Sequence, residues 1–261
     1  MRTLFKSIKM AIVILMFSGT AVFADLSDIL KSGTVKIAVP EAFAPFGSVG
    51  ANGEHEGYDV DVAKLIAKDL GVKLELVPVV SKQRIPFLET NRVDLVISTM
   101  GANPKRAKSI NFSSAYAPFY SGAFAASSIE IFDSEDLDGL TIGVTGGTLE
   151  DLELTESAPK GAKITRFGDN AATLSAFTSG QVKVLVAGNT AAASLSAANP
   201  DLDIERKYII KESPCFIGVK KGNEDLLRWV NVFILHKKLG GDLNDISLKW
   251  LGQDLPPLPT L

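Results

Sequence analysis

Disulfide chemistry is the first thing the sequence excludes. Cys215 is the single cysteine, so no internal bridge can form. It sits in the apolar stretch "SPCFIGV", which suits a thiol that fills core space. No histidine adjoins it to make it a nucleophile. Histidine is nearly as scarce. His55 lies in the polar "GEHEG" loop, where solvation is expected, and His236 lies near the end of a long helical stretch. There is no closely spaced His/Cys pair and no calcium-loop pattern, so neither a metal nor a cofactor is expected. A basic excess is also missing: 27 Lys and Arg face 30 Asp and Glu. Nucleic-acid binding needs a basic footprint and is excluded on that ground. No low-complexity segment or short-period repeat is present.

Long apolar runs are missing as well. No stretch reaches the roughly 18 residues that a membrane helix needs. "MAIVILMF" (Met10–Phe17) is too short to span a bilayer, but it follows Arg2, Lys6 and Lys9 and precedes Val22-Phe23-Ala24. That is the pattern of a signal peptide, residues 1–24, cut near Ala24. Its removal would take the net charge from −3 to −6, because three basic residues and no acid are lost. An exported, periplasmic, moderately acidic protein is expected. The 261 residues allow one large or two medium domains.

What is present is alternation. "TVKIAV", "KLELVPV" and "VDLVIS" read as strands, the last as an apolar run buried on both faces. Between them, "VDVAKLIAKDLG" places Val62, Leu65, Ile66 and Leu70 on one helical face, and "RIPFLETN" reads as a short helix entered at Pro86. The order recurs in "LTIGV", "LEDLEL", "AKITRF", "NAATLSAFTSG", "KVLVAG" and "TAAASLSAAN". Two β-α-β-α-β blocks predict two mostly parallel, doubly wound α/β sheets, separated by Ala115–Gly139. "FIGVKKG" then reads as a returning strand. The stretch from Glu224 reads as a long helix with Leu226, Leu227, Val230, Phe233 and Ile234 on one face.

Ligands of open α/β sheets bind at the carboxyl ends of strands. One such end is Ser98-Thr99, followed by "MGANPKRAK". Asn103 suits a helix N-cap and Pro104 the first helical position, which puts Arg106 in a first turn beside the strand tip. An arginine at a helix start fits an anion held between them, and its planar fork matches a carboxylate. A plain surface arginine is an equal reading of these residues. The other end is Thr145-Gly146-Gly147-Thr148, where glycines permit close backbone approach and Thr148 caps a helix carrying Glu150 and Asp151. Here the alternative is an ordinary capped turn. Glu150 is the one cleft carboxylate available as an acid or base, although helix capping suits it better.

The stretches "APF", "GYDVDVAKLIAKDLGV", "RIPFLETNRVDLVISTMGANPKRAKSINFSSAY", "IGVTGGTLEDL" and "LKWLG" together resemble the amino-acid-binding periplasmic solute-binding proteins of ABC transporters, family 3. The motif form "SKQRIP" is similar to the glutamate/aspartate-binding branch. The resemblance implies a type II periplasmic-binding-protein fold, with two α/β lobes joined by two hinge strands and closing on one ligand. Lobe 1 would comprise residues 25–120 and 218–261, and lobe 2 residues 121–217. The implied partners are an amino acid or small carboxylate and an inner-membrane ABC permease, and a monomer is expected. Arg106 falls on the family's α-carboxylate-binding arginine, with Ser98, Thr99 and Gly101 around it. Gly101 replaces a usual Ser or Thr. Phe43 falls on the aromatic that packs over the ligand. Thr148 and Leu149 fall on the second lobe's anion site, where Leu149 has lost the usual hydroxyl. Gly188 stands where an Asp usually pairs the ligand ammonium, and the neighbouring Asn189 supplies no charge. Ser81 and Arg84 fall on readers of a side-chain carboxylate. That branch's other arginine falls on Pro40 and its histidine on Asn170, so the match to an acidic ligand is half complete. A dehydratase-like enzyme acting on a cyclic dicarboxylate, or a ligand carrier for a chemoreceptor, would share this fold.

Overall fold

The computed structural model describes residues 25–260; the signal-peptide expectation lies outside them. The chain opens with α1 (Leu26–Ser32), β1 (Thr34–Pro40), a small ribbon of β2 (Ser48–Val49) and β3 (His55–Glu56), α2 (Tyr58–Leu70) and β4 (Lys73–Val79). Next come α3 (Arg84–Glu89), β5 (Leu95–Gly101) and β6 (Ile110–Ala117). The middle of the chain forms β7 (Tyr120–Ala126), β8 (Thr141–Thr145), α4 (Leu149–Ser157), β9 (Lys163–Phe167), α5 (Asn170–Thr178), β10 (Val184–Gly188), α6 (Asn189–Ala198) and β11 (Ile204–Glu212). The chain then returns as β12 (Cys215–Lys220), α7 (Glu224–Gly240) and α8 (Asp242–Leu251).

Two five-stranded sheets result. The first runs β4-β1-β5-β12-β6 and the second β11-β7-β10-β8-β9. The strands read as alternating with helices pair in parallel: β1 with β4 and β5, and β8 with β9 and β10. Parallel strands covered on both faces can be apolar throughout, and all seven residues of β5 are buried. Each sheet also gains two antiparallel strands, β12 with β6 and β7 with β11. These are β-strands that the alternation did not predict, apart from the returning β12. The α2 face of Val62, Ile66 and Leu70 and the α7 face of Leu226, Val230, Phe233 and Ile234 are buried in the core of the first lobe. Cys215 joins them with no exposed surface, and burial pushes its thiol well above the usual range. The second lobe is cored by smaller clusters on either side of its sheet, around Ile142 and Val184 on one face and Phe177 and Leu185 on the other.

The chain passes between sheets twice, at Pro118-Phe119 and at Ser213-Pro214. Proline lacks the N–H needed to continue a ladder, so each strand ends where the chain leaves its sheet. The two crossings are bound to each other: Ser213 N–H donates to the Phe119 carbonyl at 3.0 Å. Two adjacent, cross-bonded connections between sheets form a hinge axis at the floor of the cleft.

Two expected details differ. No α-helix follows Asn103-Pro104. Arg106–Lys108 form a single 3-10 turn, which Asn103 still caps by accepting the Arg106 N–H at 2.8 Å. The helix expected from Pro86 begins at Arg84 instead.

Candidate functional site

Strand ends of the two sheets face each other across a cleft of about 680 Å³, counted out to its mouth. The first lobe contributes Phe43, Ser81, Arg84, Ser98, Thr99 and Gly101. The second contributes Thr148, Leu149, Asn170 and Gly188. Nine of the residues singled out by resemblance thus line one cleft, and Gly188 stands with them. Arg106 and Asn189 do not line it. Asn189 accepts the Tyr120 N–H at 3.3 Å.

The end of β5 is held by a group that the sequence reading missed. Asp59, in the first turn of α2, is fully buried. Its Oδ2 accepts the Thr99 N–H and the Thr99 hydroxyl, both at 2.8 Å, and its Oδ1 accepts the Tyr116 hydroxyl at 2.6 Å. Tyr116 is fixed in turn, since its carbonyl accepts the Tyr58 hydroxyl at 3.0 Å. Thr99 needs this support because it lies at φ 45°, a left-handed conformation costly for a β-branched residue. Burial pushes the Asp59 carboxyl up to about 6, against the pull of these hydrogen bonds and of Arg84.

Arg84 is 5% exposed and ties the wall together. Its Nη1 donates to the carbonyls of Ser98 at 2.7 Å and Thr99 at 3.2 Å, and its Nε to the Ser81 carbonyl at 3.2 Å. Burial, and then the charge of Arg106, lower its pKa to about 10. Arg106 is 7% exposed and spans the lobes. Its Nη1 donates to the Gly101 carbonyl at 2.8 Å and its Nη2 to the Gly147 carbonyl of the second lobe at 3.0 Å. The same Gly146-Gly147 turn lies against Lys82: a Cβ on Gly147 would come within 2.7 Å of Lys82 Cγ.

The helix end facing this turn is satisfied without Glu150. Thr148 Oγ1 accepts the Asp151 N–H at 3.2 Å, and Asp151 Oδ2 accepts the Gly147 N–H at 2.9 Å. Arg166 then anchors Asp151 at 2.7 Å. Asp151, not Glu150, performs the capping role, which leaves Glu150 on the cleft wall at 7% exposure.

The two glycines that depart from the resemblance are each filled from a hinge crossing. A Cβ on Gly188 would overlap the Phe119 ring. A Cβ on Gly101 would overlap the Ser213 hydroxyl and approach Leu149 Cδ2 to 2.8 Å. Phe119 and Ser213 both line the cleft. Phe119 also extends an aromatic group, with ring centroids 6.1 Å from Phe43 and 5.9 Å from Phe46. The cleft therefore keeps a hydroxyl beside Gly101, borrowed from Ser213, and gains a ring beside Gly188.

Residues 35–253 match the bacterial extracellular solute-binding proteins, family 3. The chain belongs to this family. It is 27% identical to the L-cystine-binding protein TcyJ of Escherichia coli over 94% of each chain. It is 30% identical to the ABC transporter glutamine-binding protein GlnH of Bacillus subtilis, over 78% of this chain and 76% of that one. The solved solute receptor for L-cysteine of Neisseria gonorrhoeae superposes with a TM-score of 0.81 at 32% identity, covering 87% of this chain and 94% of the receptor. The two-lobed fold expected from the sequence is the fold of this family.

Proposed function

We propose that this protein captures an amino acid or a closely related small carboxylate between its lobes and delivers it to an ABC permease. The observation that carries the proposal is a single cleft walled by the strand ends of both sheets and floored by the hinge crossings. Closure around a ligand couples the relative position of the lobes to occupancy, which a membrane partner can read. The relatives named above bind cystine, glutamine and cysteine, which supports the amino-acid class.

In this reading Arg106 is the carboxylate clamp. Its guanidinium bonds to backbone carbonyls of both lobes, and a bidentate carboxylate is a stronger acceptor than either. Arg106→Ala is expected to weaken binding by about 2–4 kcal/mol, roughly 30- to 1,000-fold. Mass spectrometry of the small molecule that co-purifies with the exported protein, followed by calorimetry of that compound on both proteins, tests this. Unchanged affinity in the variant would remove Arg106 from the site.

Ser81 and Arg84 line the same wall beyond Thr99, so a ligand with a second polar or anionic end is the finer reading. Arg84 is anchored through Nε and Nη1, and among the described residues its Nη2 has no hydrogen-bond acceptor. A thermal-shift panel in which only apolar amino acids stabilise the protein would count against it.

A further inference from the structure

A buried carboxylate normally has hydrogen-bond donors or a paired cation, because desolvating the charge is otherwise costly. Asp59 has three donors, and Asp151 accepts from Gly147 and Arg166. Glu150 is the exception. It is 7% exposed, yet among the described residues it has neither a hydrogen bond nor an ion pair within 4 Å. Its carboxylate is not sealed in protein either, since the residue lines the cleft. Arg84 and Arg106 are close enough to feel its charge, but their printed hydrogen bonds go to backbone carbonyls. Glu150 is thus a nearly buried anion on the ligand side of the second lobe, with its hydrogen-bonding capacity unused.

The β10 end cannot supply such a charge. Gly188 has no side chain, and the Phe119 ring occupies the space that one would need. Asp169 also lines the cleft, but its Oδ1 accepts the Ala172 N–H at 2.8 Å as the cap of α5. Glu41 lies on the rim and is exposed.

We propose that Glu150 is the specificity-determining residue that pairs the cationic group of the ligand, taking its ammonium on the second lobe's side of the cleft. This inference rests on the amino-acid reading above and sharpens it: the ligand is a zwitterion or carries a cation, and a dianion without a cation is rejected. A charge-assisted hydrogen bond to a buried carboxylate is strong, so its loss is readable in affinity.

The probes are L-cystine, L-cysteine, L-glutamine and L-arginine, each also as its Nα-acetyl derivative, titrated calorimetrically into wild type, Glu150→Gln and Glu150→Asp. For the probe that binds wild type best, Glu150→Gln is expected to lose about ten- to a hundred-fold in affinity. Glu150→Asp should recover part of the loss. Nα-acetylation should cost wild type about as much affinity as Glu150→Gln does, and should cost Glu150→Gln nothing further. Equal binding by wild type and Glu150→Gln overturns the inference and leaves the amino-acid reading standing. If no probe binds wild type and a dicarboxylate without a cation does, the amino-acid reading falls and the inference falls with it. If Glu150→Gln does not fold, the acetylated probe on wild type decides: undiminished binding of a probe that acetylation leaves with no cation overturns the inference.

Discussion

The two walls of the cleft are built on different terms. On the first lobe's wall the polar groups bind one another. Asp59 holds Thr99 and Tyr116, Arg84 holds the carbonyls of Ser98, Thr99 and Ser81, and Arg106 holds Gly101. On the second lobe's wall, Thr148, Asp151 and Asp169 cap helices, but among the described residues Glu150 has neither a hydrogen bond nor an ion pair within 4 Å. The first wall is thus held in shape by its own hydrogen bonds. The second keeps one carboxyl, that of Glu150, on the cleft side without such bonds. Preorganising one wall lowers the ordering cost of binding, and under the proposal above the carboxyl left open on the other makes closure depend on what the ligand supplies.

The largest test of this contrast removes the post that holds the first wall. Asp59→Ala would leave the Thr99 N–H and hydroxyl and the Tyr116 hydroxyl buried without acceptors, and Thr99 strained at φ 45°. A loss of about 3–5 kcal/mol in folding stability is expected, read by urea unfolding. Asp59 also gives a pH signature. Its carboxyl titrates near 6 in the folded protein against an ordinary 3.8, so the native state binds the proton more tightly than the unfolded chain. Stability contributed by this group is therefore full below about pH 4, falls as pH rises to about 6, and is level above that. The fall should be about 3 kcal/mol in wild type and absent in Asp59→Asn. The same slope in both proteins would show that the wall does not depend on this buried charge.

The next effect concerns the hinge filler. Gly188→Asp would place a good N-cap at the start of α6, worth only a few tenths of a kcal/mol over glycine. The overlap with the Phe119 ring costs more, about 1–3 kcal/mol, so the variant should be destabilised. Gly188→Asp with Phe119→Ala should recover much of that loss relative to Phe119→Ala alone. A double-mutant cycle with no coupling would mean that ring and glycine are independent.

Much of this architecture was legible in the sequence because burial leaves a pattern. β1, β5, β8 and β10 are apolar runs, and α2 and α7 keep a helical stripe. β6 and β7, "INFSSAYA" and "YSGAFAA", were not legible. They are largely buried but built from small residues, which carry little periodic contrast. β11 hides for another reason: it is a charged edge strand, as edges that avoid further pairing tend to be. The site shows the same division. Residues at strand ends could be placed from the strands themselves. Asp59 could not, because its partner Thr99 is 40 residues away and the pairing exists only in three dimensions. Glu150 looked like a helix cap until Asp151 was seen to fill that role. The same is true of Ser213 and Phe119, whose meaning depends on two glycines in other strands.

A third test addresses the borrowed hydroxyl. Gly101→Ser would restore a side chain to the β5 end, but its Cβ meets Ser213 and Leu149. A cost of about 1–3 kcal/mol is expected, with Gly101→Ser and Ser213→Gly together restoring both stability and ligand affinity. Recovery of stability without affinity would show that the position of the hydroxyl matters, not only its presence.

The smallest effect tests the contact between the walls. Gly147 lies at φ 83°, and its Cβ would approach Lys82 Cγ to 2.7 Å. Gly147→Ala should cost about 1–2 kcal/mol of strain, whether the lobes are open or shut. The contact with Lys82 adds to that only when they are shut, because Lys82 belongs to the first lobe and Gly147 to the second. Ligand affinity should therefore fall along with stability in Gly147→Ala. Lys82→Ala in the same background should restore the affinity and leave the backbone strain in place. If the second substitution does not restore the affinity, the turn and the lysine do not meet on closure, and the second wall approaches the first by another route.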